Sequence, residues 1–168
     1  MVEQKNNARS NNYQFVVGDN QEVSFNVQST NVADIMLGTT TLSSRNKDVY
    51  VPSNKMDKET VNIQVLCSED LGEWIWFYKW ILKCKNSINF EEKTRASEIM
   101  ALDSGNAVTA RFRYLDSFPT SLTGLQYTTI GNSEYLVFDV VLRYNDFSIT
   151  DKDGNEIDEL WNGELDER

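Results

Sequence analysis

Carboxylates are the groups in this sequence best suited to moving protons, and they occur as adjacent pairs at Glu69-Asp70, Glu91-Glu92 and Asp158-Glu159. Acid-base work needs two such groups converging on one substrate, whereas neighbours in sequence diverge on any regular element. The first pair precedes an apolar run and is better explained as charge at a helix N-terminus. The 168 residues include no histidine, which removes Ser-His and Cys-His nucleophiles and nearly every zinc arrangement together. Cys67 and Cys84 fall at the end of a predicted strand and of the helix after it, outside any ligand cluster, and are expected to be two separate thiols. Asp151-Lys152-Asp153-Gly154-Asn155 is only superficially a calcium loop. Its glycine comes too early for an EF-hand, so a solvated Asp-Gly turn is expected. The chain also lacks a Gly-rich phosphate loop, a Gly-x-Ser-x-Gly elbow and a Cys-x-x-Cys pair, so the reading is no enzyme, no cofactor and no metal site.

The residues that do stand out are tryptophans. A helix is predicted over about residues 69–85, with Leu71, Trp74, Ile75, Tyr78, Ile81 and Leu82 on one apolar stripe taken as the core face. Trp76 and Trp80 then point the other way, beside Glu73, Lys79 and Lys83, and need a second surface. Either another chain or a loop of the same chain must cover them.

Alternation of apolar and polar residues marks the strands that would hold this helix. Tyr13, Phe15 and Val17, then Gly18-Asp19-Asn20, then Val23, Phe25 and Val27 read as a hairpin with one buried face. Val61, Ile63, Val65 and Cys67 alternate just before the helix. Val108, Ala110, Phe112 and Tyr114 form one face of a later strand that Phe118-Pro119 is expected to break. Tyr135 to Tyr144 is the last strong strand, partly apolar on both faces, so both are expected to be covered. Residues 38–60 are Thr/Ser/Asn/Lys-rich and too long for an ordinary connection; they are expected to form an arm touching a neighbour, or a hairpin. The division is a polar arm over 1–11, a β domain over 12–150, and an acidic tail over 151–168 whose Ile157, Leu160, Trp161 and Leu165 have rough helical spacing.

The net charge of −10 disfavours a nucleic-acid reader, which needs clustered Lys and Arg. Eight acidic residues against two basic ones give the tail −6 and leave −4 for the preceding 150 residues. No apolar run approaches the ~20 residues of a membrane span, and Met1 to Asn7 lack the apolar stretch of a signal peptide, so a cytoplasmic start and no membrane partner are expected.

Several segments taken in order resemble the tail-tube proteins of contractile-tailed bacteriophages. They are Ala8-Arg9-Ser10-Asn11-Asn12-Tyr13-Gln14-Phe15-Val16-Val17, Phe25-Asn26-Val27-Gln28-Ser29 with Ile35-Met36-Leu37-Gly38, and Pro52-Ser53-Asn54-Lys55-Met56 leading into Val61-Asn62-Ile63-Gln64-Val65. Glu69-Asp70-Leu71 before Trp74 and Trp80, Phe118-Pro119-Thr120-Ser121-Leu122, and Phe138-Asp139-Val140-Val141-Leu142-Arg143-Tyr144 complete the series. The resemblance covers about residues 8–149. It departs at Ala33-Asp34, where the family often has Pro-Gly, at Ser68, where it has a further Asp, and in the added acidic tail.

The resemblance implies a mainly β fold, an antiparallel β-barrel or sandwich with one flanking α-helix. It implies hexameric rings stacked into a hollow tube, with type VI secretion tube proteins sharing the fold. The implied function is a structural virion protein of the tail tube, or a baseplate-side initiator or adaptor ring, assembled in the host cytoplasm and resident in the virion tail. Partners would be other copies of itself, tail sheath and baseplate proteins, with DNA passing through the lumen without specific binding. Arg111 and Arg113 are expected to face outward or to pair with acidic groups, because cationic side chains on the wall would hold phosphates. Assembly contacts are expected at Arg9, at Arg45, Lys47 and Lys58 of the long connection, and at Trp76, Lys79, Trp80 and Lys83 of the helix. A less favoured alternative is a carbohydrate-binding β-sandwich stacking sugars on Trp76 and Trp80.

Overall fold

A computed structural model describes residues 8–18, 23–24, 26–130 and 134–157. Among the described residues nine strands and two helices follow in the order β1 (Tyr13–Val17), β2 (Val27–Thr30), β3 (Ile35–Ser43), β4 (Asp48–Lys58), β5 (Val61–Leu66), α1 (Gly72–Asn86), α2 (Phe90–Lys93), β6 (Arg95–Leu102), β7 (Val108–Leu122), β8 (Val137–Arg143) and β9 (Asp146–Asp151). Every strand pairing among these is antiparallel.

The strands run in the order β1-β6-β7-β8-β5-β2, with β9 also on β7 and β3-β4 as a separate pair. The 15-residue β7 belongs to both layers of a sandwich. Its first half pairs with β6 and β9, and its second half, from Phe118, pairs with β8. Between the halves Asp116 takes φ +53, a left-handed conformation that Asp tolerates better than most residues and that lets the strand change layers. The sandwich is not a closed barrel. β1 and β2 end the path, and the two segments are linked through side chains: the Tyr13 hydroxyl donates to the Gln28 carbonyl at 2.6 Å, and Val17 N–H to Ser24 Oγ at 3.1 Å.

The period of two decides what lies between the layers. Phe15, Val17, Ile99 and Tyr114 from the β1-β6-β7 layer face Val61, Ile63, Val65, Phe138, Val140 and Leu142 from the β8-β5 layer, and Phe77 and Trp80 of α1 complete the cluster.

Several sequence expectations change or sharpen. The Tyr13–Val27 hairpin does not form: β1 pairs with β6 and β2 with β5, while Val23 and Ser24 lie in a helical turn and Phe25 falls outside the described residues. Alternation identifies a strand but not its partner. The segment around residues 38–60 is largely the β3-β4 hairpin. Phe118-Pro119 does not end β7; Pro119, which has no N–H to give, sits beside a register shift opposite Leu142 and Val141. β8 buries one face only, with Val137, Asp139 and Arg143 exposed. Strands β6 and β9 lie in stretches whose weak alternation gave no strand signal.

Candidate assembly surfaces

Helix α1 follows β5 through a tight connection in which Leu71 takes φ +58 and Asp70 Oδ1 accepts the Gly72 N–H at 3.1 Å. The acid that matters most here is Glu73, only 5% exposed. It accepts hydrogen bonds from Ser68 N–H at 2.9 Å, from the Ser68 hydroxyl and from the Asn26 side-chain amide. Burial pushes the Glu73 carboxyl upward, but these donors outweigh it and hold it below the usual carboxylate range. Three separate segments are thereby pinned at the start of the helix.

From Glu73 the buried stripe continues through Phe77 and Trp80, spaced by four and three residues as a helix face requires. Phe77 meets Phe138 edge-on at 6.0 Å. Trp80 is 3% exposed and donates its indole N–H to the Lys93 carbonyl at 2.7 Å. The Cys84 thiol reaches the same carbonyl at 3.3 Å. The Arg95 guanidinium lies over both Trp76 and Trp80, 5.5 and 5.7 Å from their ring centroids. The expected helix orientation is therefore reversed: residues 93–95 of the same chain cover Trp80, Trp76 is half-buried beside it, and Ile75 and Tyr78 of the expected core stripe face outward. Apolar residues on every side of the helix left its phase undetermined in the sequence. A sugar platform on Trp80 is ruled out with the same observation, since that ring is buried.

The outer face keeps Lys79 and Lys83 exposed, beside Tyr78, which stacks flat on Trp74 at 5.6 Å and 9°. Trp74 in turn donates its indole N–H to the Thr123 carbonyl at 3.0 Å.

The β3-β4 hairpin is the second surface. Gly38 sits at its register shift, where a Cβ would come within 3.3 Å of the Lys55 carbonyl and the Ser53 side chain. Arg45 and Lys47 lie at the tip, closed by Ser44, whose N–H and hydroxyl both donate to the Lys47 carbonyl. Lys58 lies at the base and is not free: its ammonium is 3.4 Å from Asp146. Along the arm Ile35, Met36, Leu37, Leu42, Val49, Tyr50, Val51 and Met56 are all exposed, Tyr50 at 71%.

Arg9 is exposed just before β1, where the Asn12 side chain donates to the Asp103 carbonyl. The predicted contact residues thus occupy three separate places: this arm, the hairpin and the helix. Arg111 and Arg113 both reach Glu98, at 3.2 and 3.6 Å, so they are paired with an acidic group.

Elsewhere the chemistry is sparse. Asp151 Oδ1 accepts the N–H groups of Asp153 and Asn155, both at 2.9 Å, which makes the calcium-like loop an Asx turn. Cys67 and Cys84 are free and half-buried, with burial pushing both thiols up. Among the described residues no three His, Cys, Asp or Glu side chains cluster as metal ligands, and no helix is long and apolar enough to cross a membrane.

No sequence-family model matches the chain, and no curated protein matches it by sequence. Solved structures do match. The tube-terminating cap of the anti-feeding prophage superposes with a TM-score of 0.71 at 16% identity, covering 90% of this chain and 95% of that one. A chain from the sheath-tube complex of the extracellular contractile injection system PVC gives 0.67 at 15% identity, covering 86% and 92%. The chain has the fold of contractile-injection tube proteins. The same fold extends to Hcp1 from Flavobacterium johnsoniae, at a TM-score of 0.50 and 16% identity, covering 86% and 97%. Within this fold, Glu73, Asn26 and Ser68 are fastening residues that alternation could not reveal; a buried acid in the first turn of a helix leaves no mark in an apolar pattern.

Proposed function

We propose that this chain is a structural subunit of the tube of a contractile phage tail, closing in six copies into a ring that stacks into a conduit for DNA. The observation that carries the reading is the β3-β4 hairpin. On a sandwich with the tube fold, this arm bears eight exposed large apolar side chains and forms a sheet of its own, separate from the main one. Apolar surface of that extent is covered in an assembled state, and a closed ring of identical copies supplies the cover by symmetry. Arg9, Arg45, Lys47, Lys79 and Lys83 are proposed contact residues; Trp80 contributes only through the core.

The charge distribution supports a conduit. The portion before the tail carries only −4, and Glu98 occupies both Arg111 and Arg113, leaving fewer cations to hold phosphates. Sheath and baseplate proteins are the expected partners, and the virion tail the expected location.

A terminal ring, either a cap or a baseplate-side adaptor, is the second reading, favoured by the chain beyond β9. Residues 155–157 fold back along that strand, with Ile157 N–H on the Ile149 carbonyl at 2.8 Å, and so occupy its edge. Electron microscopy of purified protein tests the common part of both readings: six-fold rings or tubes are expected, and a monomer at all concentrations would refute them. Copy number in intact particles separates the two, with about six or twelve for a terminal ring and far more for a tube.

A further inference from the structure

Among the described residues, the outer face of α1 is open to solvent. Ile75, Tyr78, Lys79, Lys83 and Lys85 are exposed along it. The only carboxylate of the helix, Glu73, is buried on the opposite side. Among the described residues none of these three lysines lies within ion-pair distance of a carboxylate, whereas Lys55 and Lys58 of the hairpin already have Asp57 and Asp146. The apolar part is pre-ordered, because Tyr78 is held flat against Trp74 and Trp74 is held by Thr123. Such a face fits a segment that is acidic and carries a few large apolar side chains.

One segment of this chain has that composition. Residues 158–168 hold Asp158, Glu159, Glu164, Asp166 and Glu167 against a single Arg168, with Leu160, Trp161 and Leu165 among them. They follow Ile157, which is fixed beside β9, and eleven residues reach at most about 40 Å. We propose that the acidic C-terminal segment of this chain docks on the lysine-flanked outer face of α1, its carboxylates against Lys79, Lys83 and Lys85 and its apolar residues against Ile75 and Tyr78. The docked segment covers this face in the free subunit, so any protein that binds α1 from outside competes with it. The docking needs no ring, and in an assembled ring it competes for Lys79 and Lys83 with the contacts proposed above.

Zero-length carbodiimide cross-linking of the full-length protein, read by mass spectrometry, tests it. The expected products join Lys79, Lys83 or Lys85 to carboxylates of residues 158–167 within one chain, and fall severalfold at about 1 M salt, where the screening length is ~3 Å; products found only between two chains would overturn the proposal. Lys79→Glu with Lys83→Glu should reduce the products that remain possible at Lys85 by about fivefold. In that background, Glu164→Lys with Asp166→Lys should create new products that join the carboxylates introduced on the helix to the amines introduced in the tail. Lys79 and Lys83 are exposed, so the two helix substitutions leave the core untouched. Tail products confined to other lysines, tail products indifferent to salt, or failure of the charge exchange would each overturn the proposal.

Discussion

The indole N–H of Trp80 donates to the backbone carbonyl of Lys93 at 2.7 Å, tying the far end of α1 to the segment that enters β6. This bond converts a tryptophan with no assigned cover into part of the core. Removing the ring takes away both its packing and the partner of a buried carbonyl. Trp80→Ala is expected to cost about 3–5 kcal/mol in denaturant unfolding, while Ile75→Ser on the exposed side should stay within about 0.5 kcal/mol. Equal effects would place Trp80 outside the core.

Glu73 makes stability depend on acid. Its folded pKa lies below the usual range because its hydrogen bonds overcome burial. Its contribution is therefore fully present above the unfolded value of about 4.3 and is lost as pH falls through the folded value. Glu73→Gln should flatten the stability-pH curve in that interval, and Glu73→Ala should cost about 1–3 kcal/mol at neutral pH by leaving the Ser68 and Asn26 donors unpaired. Urea midpoints measured from neutral pH downward decide this, and parallel curves for wild type and Glu73→Gln would contradict it.

Tyr114 acts at the other end of the pH scale. Burial pushes its phenol up to about 12, and its oxygen accepts the Ala33 N–H at 3.3 Å. The unfolded phenol ionises near 10, so the stabilising contribution is complete below about that pH and declines as pH rises toward 12. Tyr114→Phe should remove this alkaline decline and cost about 1–3 kcal/mol at neutral pH, because the Ala33 N–H loses its acceptor. Ultraviolet titration combined with alkaline unfolding reports both effects.

The hairpin should separate folding from assembly. Leu42 and Tyr50 are 57% and 71% exposed, so Leu42→Ser with Tyr50→Ser is expected to change unfolding by less than about 1 kcal/mol. Rings or tubes seen by sedimentation and electron microscopy should be lost. Retained assembly would show that the arm is not a contact surface.

Of these features, the strands were legible wherever a single face is buried. Val61, Ile63 and Val65 alternate because one side of β5 meets the core, and Phe138, Val140 and Leu142 do so for the same reason. β6 was hidden because its buried positions include Ser97, whose hydroxyl is satisfied by Ser117 rather than by apolar packing. β9 was hidden because only Thr150 of its six residues is fully buried.

The sequence by itself determined the classes of element, the absence of histidine chemistry, the uneven acidic charge and, through the order of its segments, the resemblance to tube proteins. These depend on composition and local period, which are properties of neighbouring residues. Only the tertiary structure decided that β1 pairs with β6, that Glu73 is buried, and that Trp80 faces inward while Tyr78 faces out. Strand partners and the phase of a helix that is apolar all round are set by which distant surfaces bury the most area and satisfy the most donors, and no local pattern records that choice.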